Sequence, residues 1–84
     1  MPRFIAVHTT PITEAGLKDL TKAKSAKGVS WKLSYVDFAD NKVFCVWEAP
    51  NKEAVEKEIR EKKVPFDAVY PVQVFNVRKA KLEK

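Results

Sequence analysis

The chain reads as one α+β domain in the order β-α-β-β-α-β, a four-stranded antiparallel sheet with two helices on one face. Three observations predict this. Two segments carry helix-entry signals followed by helically spaced apolar residues, one after Thr13 and one after Asn51. A run at 29–38 alternates with a period of two and is followed, after Asp40-Asn41, by a second strand-like run. Strand-like runs also lie near both ends, at 3–9 and 69–77.

The first strand, Arg3-Phe4-Ile5-Ala6-Val7-His8-Thr9, is rich in β-branched and aromatic residues. Thr13 then serves as N-cap, with Glu14 in the first turn where its charge suits the helix dipole. Ile12 and Leu17 fall at the positions of a hydrophobic staple, and Gly28 offers a left-handed stop, so the first helix is expected over 13–26. In the next strand Val29, Trp31, Leu33 and Tyr35 are expected to share one face. The third, Val43-Phe44-Cys45-Val46-Trp47, is apolar on both faces, as a central strand is. Asn51 caps the second helix, whose buried stripe is Ala54, Val55 and Ile59 and whose stop is Pro65. Pro71 lacks a ladder donor, which points to an edge strand or a bulge. Two split β-α-β units with right-handed crossovers make the ferredoxin-like fold, strand order 4-1-3-2.

The domain is expected over 1–78, with a flexible basic tail at 79–84. Of the net charge of +5, Arg78, Lys79, Lys81 and Lys84 against Glu83 supply +3, leaving a nearly balanced body. That argues against a nucleic-acid footprint, as does a third strand without the glycines of an RNA-binding signature. No apolar run approaches the roughly twenty residues of a membrane span. A single cysteine and a start without signal-peptide pattern give a cytoplasmic expectation.

Trp31-Lys32-Leu33-Ser34-Tyr35-Val36, then Lys42-Val43-Phe44-Cys45-Val46-Trp47-Glu48-Ala49-Pro50, then Pro65, together with the opening Met1-Pro2-Arg3-Phe4, resemble the domain of unknown function 4242 family of nickel-binding-protein-like chains. The resemblance covers nearly the whole chain. It implies a ferredoxin-like fold, a dimer and, for at least one member, nickel binding. Members commonly carry histidines where this chain has Leu33 and Glu58.

The functional expectation is a small ligand- or metal-binding protein rather than an enzyme. For a transition metal, nickel or zinc, the candidate ligands are His8, Cys45 and Glu58. The plainer reading makes His8 a strand-end histidine and Cys45 a packed core thiol. For a flat organic ligand, Trp31, Tyr35 and Trp47 would line a pocket with Ser34 as the polar group. The plainer reading of the second helix is that its carboxylates, Glu53, Glu56, Glu58 and Glu61, alternate with lysines as a solvated face with i,i+4 pairs such as Glu53–Lys57 and Glu58–Lys62. The sheet face away from the helices is also apolar, which implies a homodimer packed through that face. The alternative is a small cofactor-independent enzyme, monooxygenase- or isomerase-like, with an apolar cleft on the open sheet face around His8, Tyr35, Cys45 and Trp47. No protease, phosphate-loop or nucleophile-elbow motif occurs.

Overall fold

The computed structural model describes residues 2–22 and 26–83. Its elements are β1 (Arg3–Thr9), α1 (Glu14–Thr21), β2 (Ser30–Asp37), β3 (Lys42–Glu48), α2 (Lys52–Glu61), β4 (Ala68–Val72), β5 (Phe75–Asn76) and β6 (Lys81–Leu82). The first four strands in the sheet run in the order β2-β3-β1-β4, every pair antiparallel. This is the expected α+β ferredoxin-like arrangement, with β4 at an edge and Pro71 within it.

Strand pleating sorts the side chains. On the helix side, Phe4, Ala6 and His8 of β1 pair with Trp47, Cys45 and Val43 of β3, and all six are buried. Val55 and Ile59 of α2, with Val69 of β4, close this core. On the opposite side Ile5, Val7, Phe44 and Val46 are only half-buried, while Leu33, Tyr35 and Tyr70 are exposed.

Both helices begin at the expected caps. Thr13 Oγ1 accepts from Gly16 N at 3.0 Å, and Asn51 Oδ1 accepts from Ala54 N at 2.8 Å. The end of α2 is a Schellman turn. Lys63 adopts φ 59°, its N–H donates to Arg60 O at 2.9 Å, and Val64 N–H donates to Ile59 O at 3.3 Å. Pro65 therefore follows a stop already made, rather than making it. The helix α1 is shorter than expected. It ends at Thr21, and the expected stretch at 23–25 lies outside the described residues. Ala26, the expected last residue, is not helical: its N–H is taken by Glu58 Oε1 at 3.0 Å and its carbonyl accepts from Val29 N at 3.0 Å. Gly28, at φ +83°, sits inside this tight turn, where a positive φ suits glycine.

Two further expectations are corrected. The last strand does not run on to residue 77. Val72 pairs with Arg3, where β1 begins, so beyond it β4 has no partner and the ladder stops. The chain then forms a separate hairpin, with Phe75 opposite Leu82 and Asn76 opposite Lys81. Glu83 N–H donates to Val74 O at 2.8 Å and Asn76 Oδ1 accepts from Lys79 N at 3.0 Å, so the basic tail is hydrogen-bonded rather than a bare end. The second correction concerns β2. Trp31 opposes Trp47 but Leu33 opposes Val46, so Lys32 is an extra residue, a β-bulge. The bulge shifts the alternation: Trp31, Ser34 and Val36 face the helices, and Leu33 and Tyr35 face away.

Candidate functional site

The bulge at Lys32 assembles the site. With Trp31 and Ser34 turned to the same side, Trp31 Nε1–H donates to Ser34 Oγ at 2.9 Å and the Ser34 hydroxyl donates to Cys45 Sγ at 3.0 Å. Trp31 and Trp47, opposed across β2 and β3, stack with ring centroids 6.0 Å apart and planes 18° from parallel. The Lys62 ammonium lies 5.5 Å from the centroid of each ring. At that distance both ring faces attract the cation, by up to about 2 kcal/mol where water is excluded.

Lys62 and Glu58 reach the interior because they lie on the buried stripe of α2. Val55, Glu58, Ile59 and Lys62 stand at i, i+3, i+4 and i+7, one helix face. The side chains of Glu58 and Lys62 are 4% and 9% exposed, and Glu58 Oε2 lies 3.9 Å from Lys62 Nζ. This pair is not part of a solvated face, as the i,i+4 spacing alone suggested. Glu58 Oε1 is occupied by Ala26 N–H, so the carboxylate ties the loop before β2 to α2.

His8 is buried at the end of β1, and its Nδ1 lies 2.8 Å from Pro65 O. A carbonyl only accepts, so Nδ1 carries the proton, and neutral His8 has its lone pair at Nε2. Cys45 lies diagonally from His8 on the same face, opposite Ala6. Burial pushes the Cys45 thiol upward; the Ser34 hydrogen bond and the Lys62 charge oppose the shift without cancelling it. The thiol is therefore protonated near neutral pH and is a poor nucleophile.

These groups surround a cavity of about 30 Å³, floored by His8, Cys45 and the two tryptophans, edged by Lys62 and roofed by Leu17 and Leu20 of α1. No residue of α1 is fully buried, so the roof is the least embedded wall. Trp47 is 3% exposed, and its Nε1–H has no hydrogen-bond partner among the described residues. Most buried donors are paired, so this orphan is unusual.

Of the expected ligand-contacting residues, Trp31, Ser34 and Trp47 come together. Tyr35 does not: it is 64% exposed on the opposite face because of the bulge. For the same reason His8, Cys45 and Trp47 cannot share an open-face cleft with Tyr35. Of the expected metal ligands, His8 and Cys45 share the cavity, while Glu58 is engaged with Ala26 and Lys62. No group of three or more His, Cys, Asp or Glu side chains could hold a metal among the described residues. One imidazole, a protonated thiol and a neighbouring ammonium do not fit a nickel or zinc ion, which takes more donors and is repelled by a cation. Lys62 and the Trp47 N–H were missed from sequence, although the i+7 spacing of Lys62 from Val55 signalled the former.

The family model for nickel responsive proteins, SCO4226-like, matches residues 4–72. The chain belongs to this family. A member of known structure, SCO4226 from Streptomyces coelicolor A3(2), superposes with a TM-score of 0.73 at 22% identity, over 83% of this chain and 94% of that one. At that identity the likeness extends to the fold. No curated protein matches the chain. Within the nickel responsive family, then, this member carries an apolar cavity with Lys62 among its surrounding residues. No helix among the described residues is long and apolar enough to cross a membrane.

Proposed function

We propose that this member of the nickel responsive family is a small ligand-binding protein whose site is the cavity beneath α1, and that it works as a homodimer through its open sheet face. The observation that carries the ligand-binding reading is an apolar cavity bounded by the stacked Trp31–Trp47 pair, with His8, Cys45 and Lys62 among its surrounding residues. Concave sites lined by apolar and aromatic side chains are where small molecules bind. The dimer reading draws on the second face, where Leu33, Tyr35 and Tyr70 are exposed around half-buried Ile5, Phe44 and Val46.

Tryptophan emission tests the site, since both indoles line the cavity. Small organic molecules are titrated against the full chain, with Ser34→Ala and Tyr35→Ala as probes of the two faces. A saturable change that Ser34→Ala alters and Tyr35→Ala leaves alone supports the reading. A ligand that follows Tyr35 instead moves the site to the open face and refutes it. Sedimentation equilibrium tests the dimer: Tyr35→Lys with Tyr70→Lys yields a monomer if the open face is the contact.

Nickel binding is the second reading. It is favoured by family membership alone, since the residues around the cavity do not fit the ion. Calorimetric titration of metal-stripped protein with Ni²⁺, repeated on His8→Ala, decides it. Stoichiometric binding lost in the variant establishes a metal role; absence of heat removes it.

A further inference from the structure

We propose that the β5–β6 hairpin docks on an anionic lipid surface. Phe75, Leu82 and Val77 enter the apolar boundary of the bilayer, and Arg78, Lys79 and Lys81 meet the lipid phosphates. The site is distinct from the cavity beneath α1.

The hairpin stands apart from the core. β5 and β6 form a two-stranded sheet of their own. None of the residues from Gln73 to Glu83 is buried, and every one from Val77 to Glu83 is exposed. A hollow of about 690 Å³ opens at its base, bordered by Arg3 and Glu48 at the end of the main sheet and by Val74 and Glu83. The family match ends at residue 72, so the hairpin lies beyond it. Its bonds are local: Glu83 N–H donates to Val74 O at 2.8 Å, Lys79 N–H to Asn76 Oδ1 at 3.0 Å and Asn76 Nδ2–H to Glu83 Oε2 at 2.9 Å. A two-stranded hairpin with no third strand or helix packed on it is only marginally stable in water. A surface to lie on supplies the packing it lacks.

The two faces of the hairpin differ. Phe75 is directly opposite Leu82, and opposed residues of an antiparallel pair share a face. Both are exposed, so an apolar pair faces water. Val77, at the start of the turn, is 83% exposed, and Arg78 and Lys79 follow it in the turn. Asn76 and Lys81 form the neighbouring pair, which pleating puts on the other face. The charged groups of the hairpin are Arg78, Lys79, Lys81 and Glu83, a net charge of +2, and the carboxylate among them already accepts from Asn76.

One occupant suits both features. Anionic headgroups attract the cations, the acyl boundary takes the apolar face, and long basic side chains span the two levels. A nucleic acid offers phosphates but no apolar layer for Val77 and Leu82. The hairpin of a second copy offers apolar surface but sets like charges against each other.

The test sediments the full chain with vesicles of phosphatidylcholine alone, or with about 30% phosphatidylserine added, at about 0.1 M salt. Binding to the anionic vesicles is expected to be at least about tenfold tighter than to the neutral ones. Each basic residue near an anionic surface contributes about fivefold in affinity, so Arg78→Gln/Lys79→Gln weakens binding by about thirtyfold. Val77→Ser/Leu82→Ser weakens it by at least about tenfold. All four positions are exposed, and the near-ultraviolet circular dichroism of the stacked tryptophans reports that the body of each variant is folded. Equal binding to the two vesicle types, or none at about 1 mM lipid, overturns the proposal, as do variants that bind like the parent. A single-stranded oligonucleotide bound more tightly than the anionic vesicles assigns the hairpin to nucleic acid and overturns it. Self-association that Val77→Ser/Leu82→Ser abolishes in the absence of lipid assigns the hairpin to a second copy and overturns it too.

Discussion

Replacing Glu58 by alanine removes two things at once: the acceptor of Ala26 N–H at 3.0 Å and the counter-charge of Lys62 at 3.9 Å. Both partners are at least nine-tenths buried as side chains, so solvent screens little of the loss. Breaking a buried pair from one side costs about 3–5 kcal/mol, because the remaining charge is stranded. A destabilisation of about 3–5 kcal/mol is expected, a large share of the roughly 4–13 kcal/mol available to a chain of this length. Urea unfolding followed by tryptophan emission measures it. The control is Glu58→Gln/Lys62→Met, which removes both charges while keeping an amide oxygen for Ala26; it should lie within about 1 kcal/mol of the parent. A Glu58→Ala variant within about 0.5 kcal/mol of the parent, the range of an ordinary surface change, would show that the pair is solvated and that the interior placement of Lys62 is wrong.

Three further outcomes follow from geometry already described. Because the Cys45 thiol is raised by burial, the unfolded chain loses its proton first as pH rises; stability is intact below the ordinary thiol value and falls as pH climbs towards the folded value. Urea midpoints between pH 7 and about 10 should decline more steeply for the parent than for Cys45→Ala, and equal slopes would remove the effect. Lys63→Gly relieves the left-handed backbone at φ 59° and should raise stability by up to about 1 kcal/mol, read as a higher melting temperature. Asn51→Ala leaves Ala54 N–H without its cap and should cost about 1 kcal/mol in the same assay.

Local signals were legible in the sequence because their physics is local. Thr13 and Asn51 cap helices through their own side chains, Pro71 lacks its donor wherever it sits, and the element order constrained the sheet to β2-β3-β1-β4. What escaped depends on partners far along the chain. The end of β4 is set by where β1 begins, at Arg3, and no residue of β4 announces it. Ala26 leaves the helix for a bond with Glu58, thirty-two residues on. The bulge at Lys32 has neither glycine nor proline to mark it, and a one-residue slip reverses every later side chain on the strand. Hence Ser34 joins Trp31 and Trp47 on the helix side, against the expected alternation, while Tyr35 goes to the other side. Lys62 was mistaken for surface because lysine and glutamate four apart are commonest there. Its spacing from Val55 and Ile59 carried the contrary message.

The extra residue at Lys32 has a consequence for how this protein can vary. It divides the eight residues of β2 into two halves with opposite phase. The first half delivers Trp31 to the interior; the second delivers Leu33 and Tyr35 to the outside while returning Ser34 inward. Changes at Leu33 and Tyr35 can therefore retune what a neighbouring surface meets without touching the chamber, and changes at Trp31 and Ser34 do the reverse. Deleting the single residue Lys32 would keep Trp31 opposite Trp47 and Leu33 opposite Val46 in an unbroken alternation, so the facing seen here needs either the bulge or a strand one residue shorter.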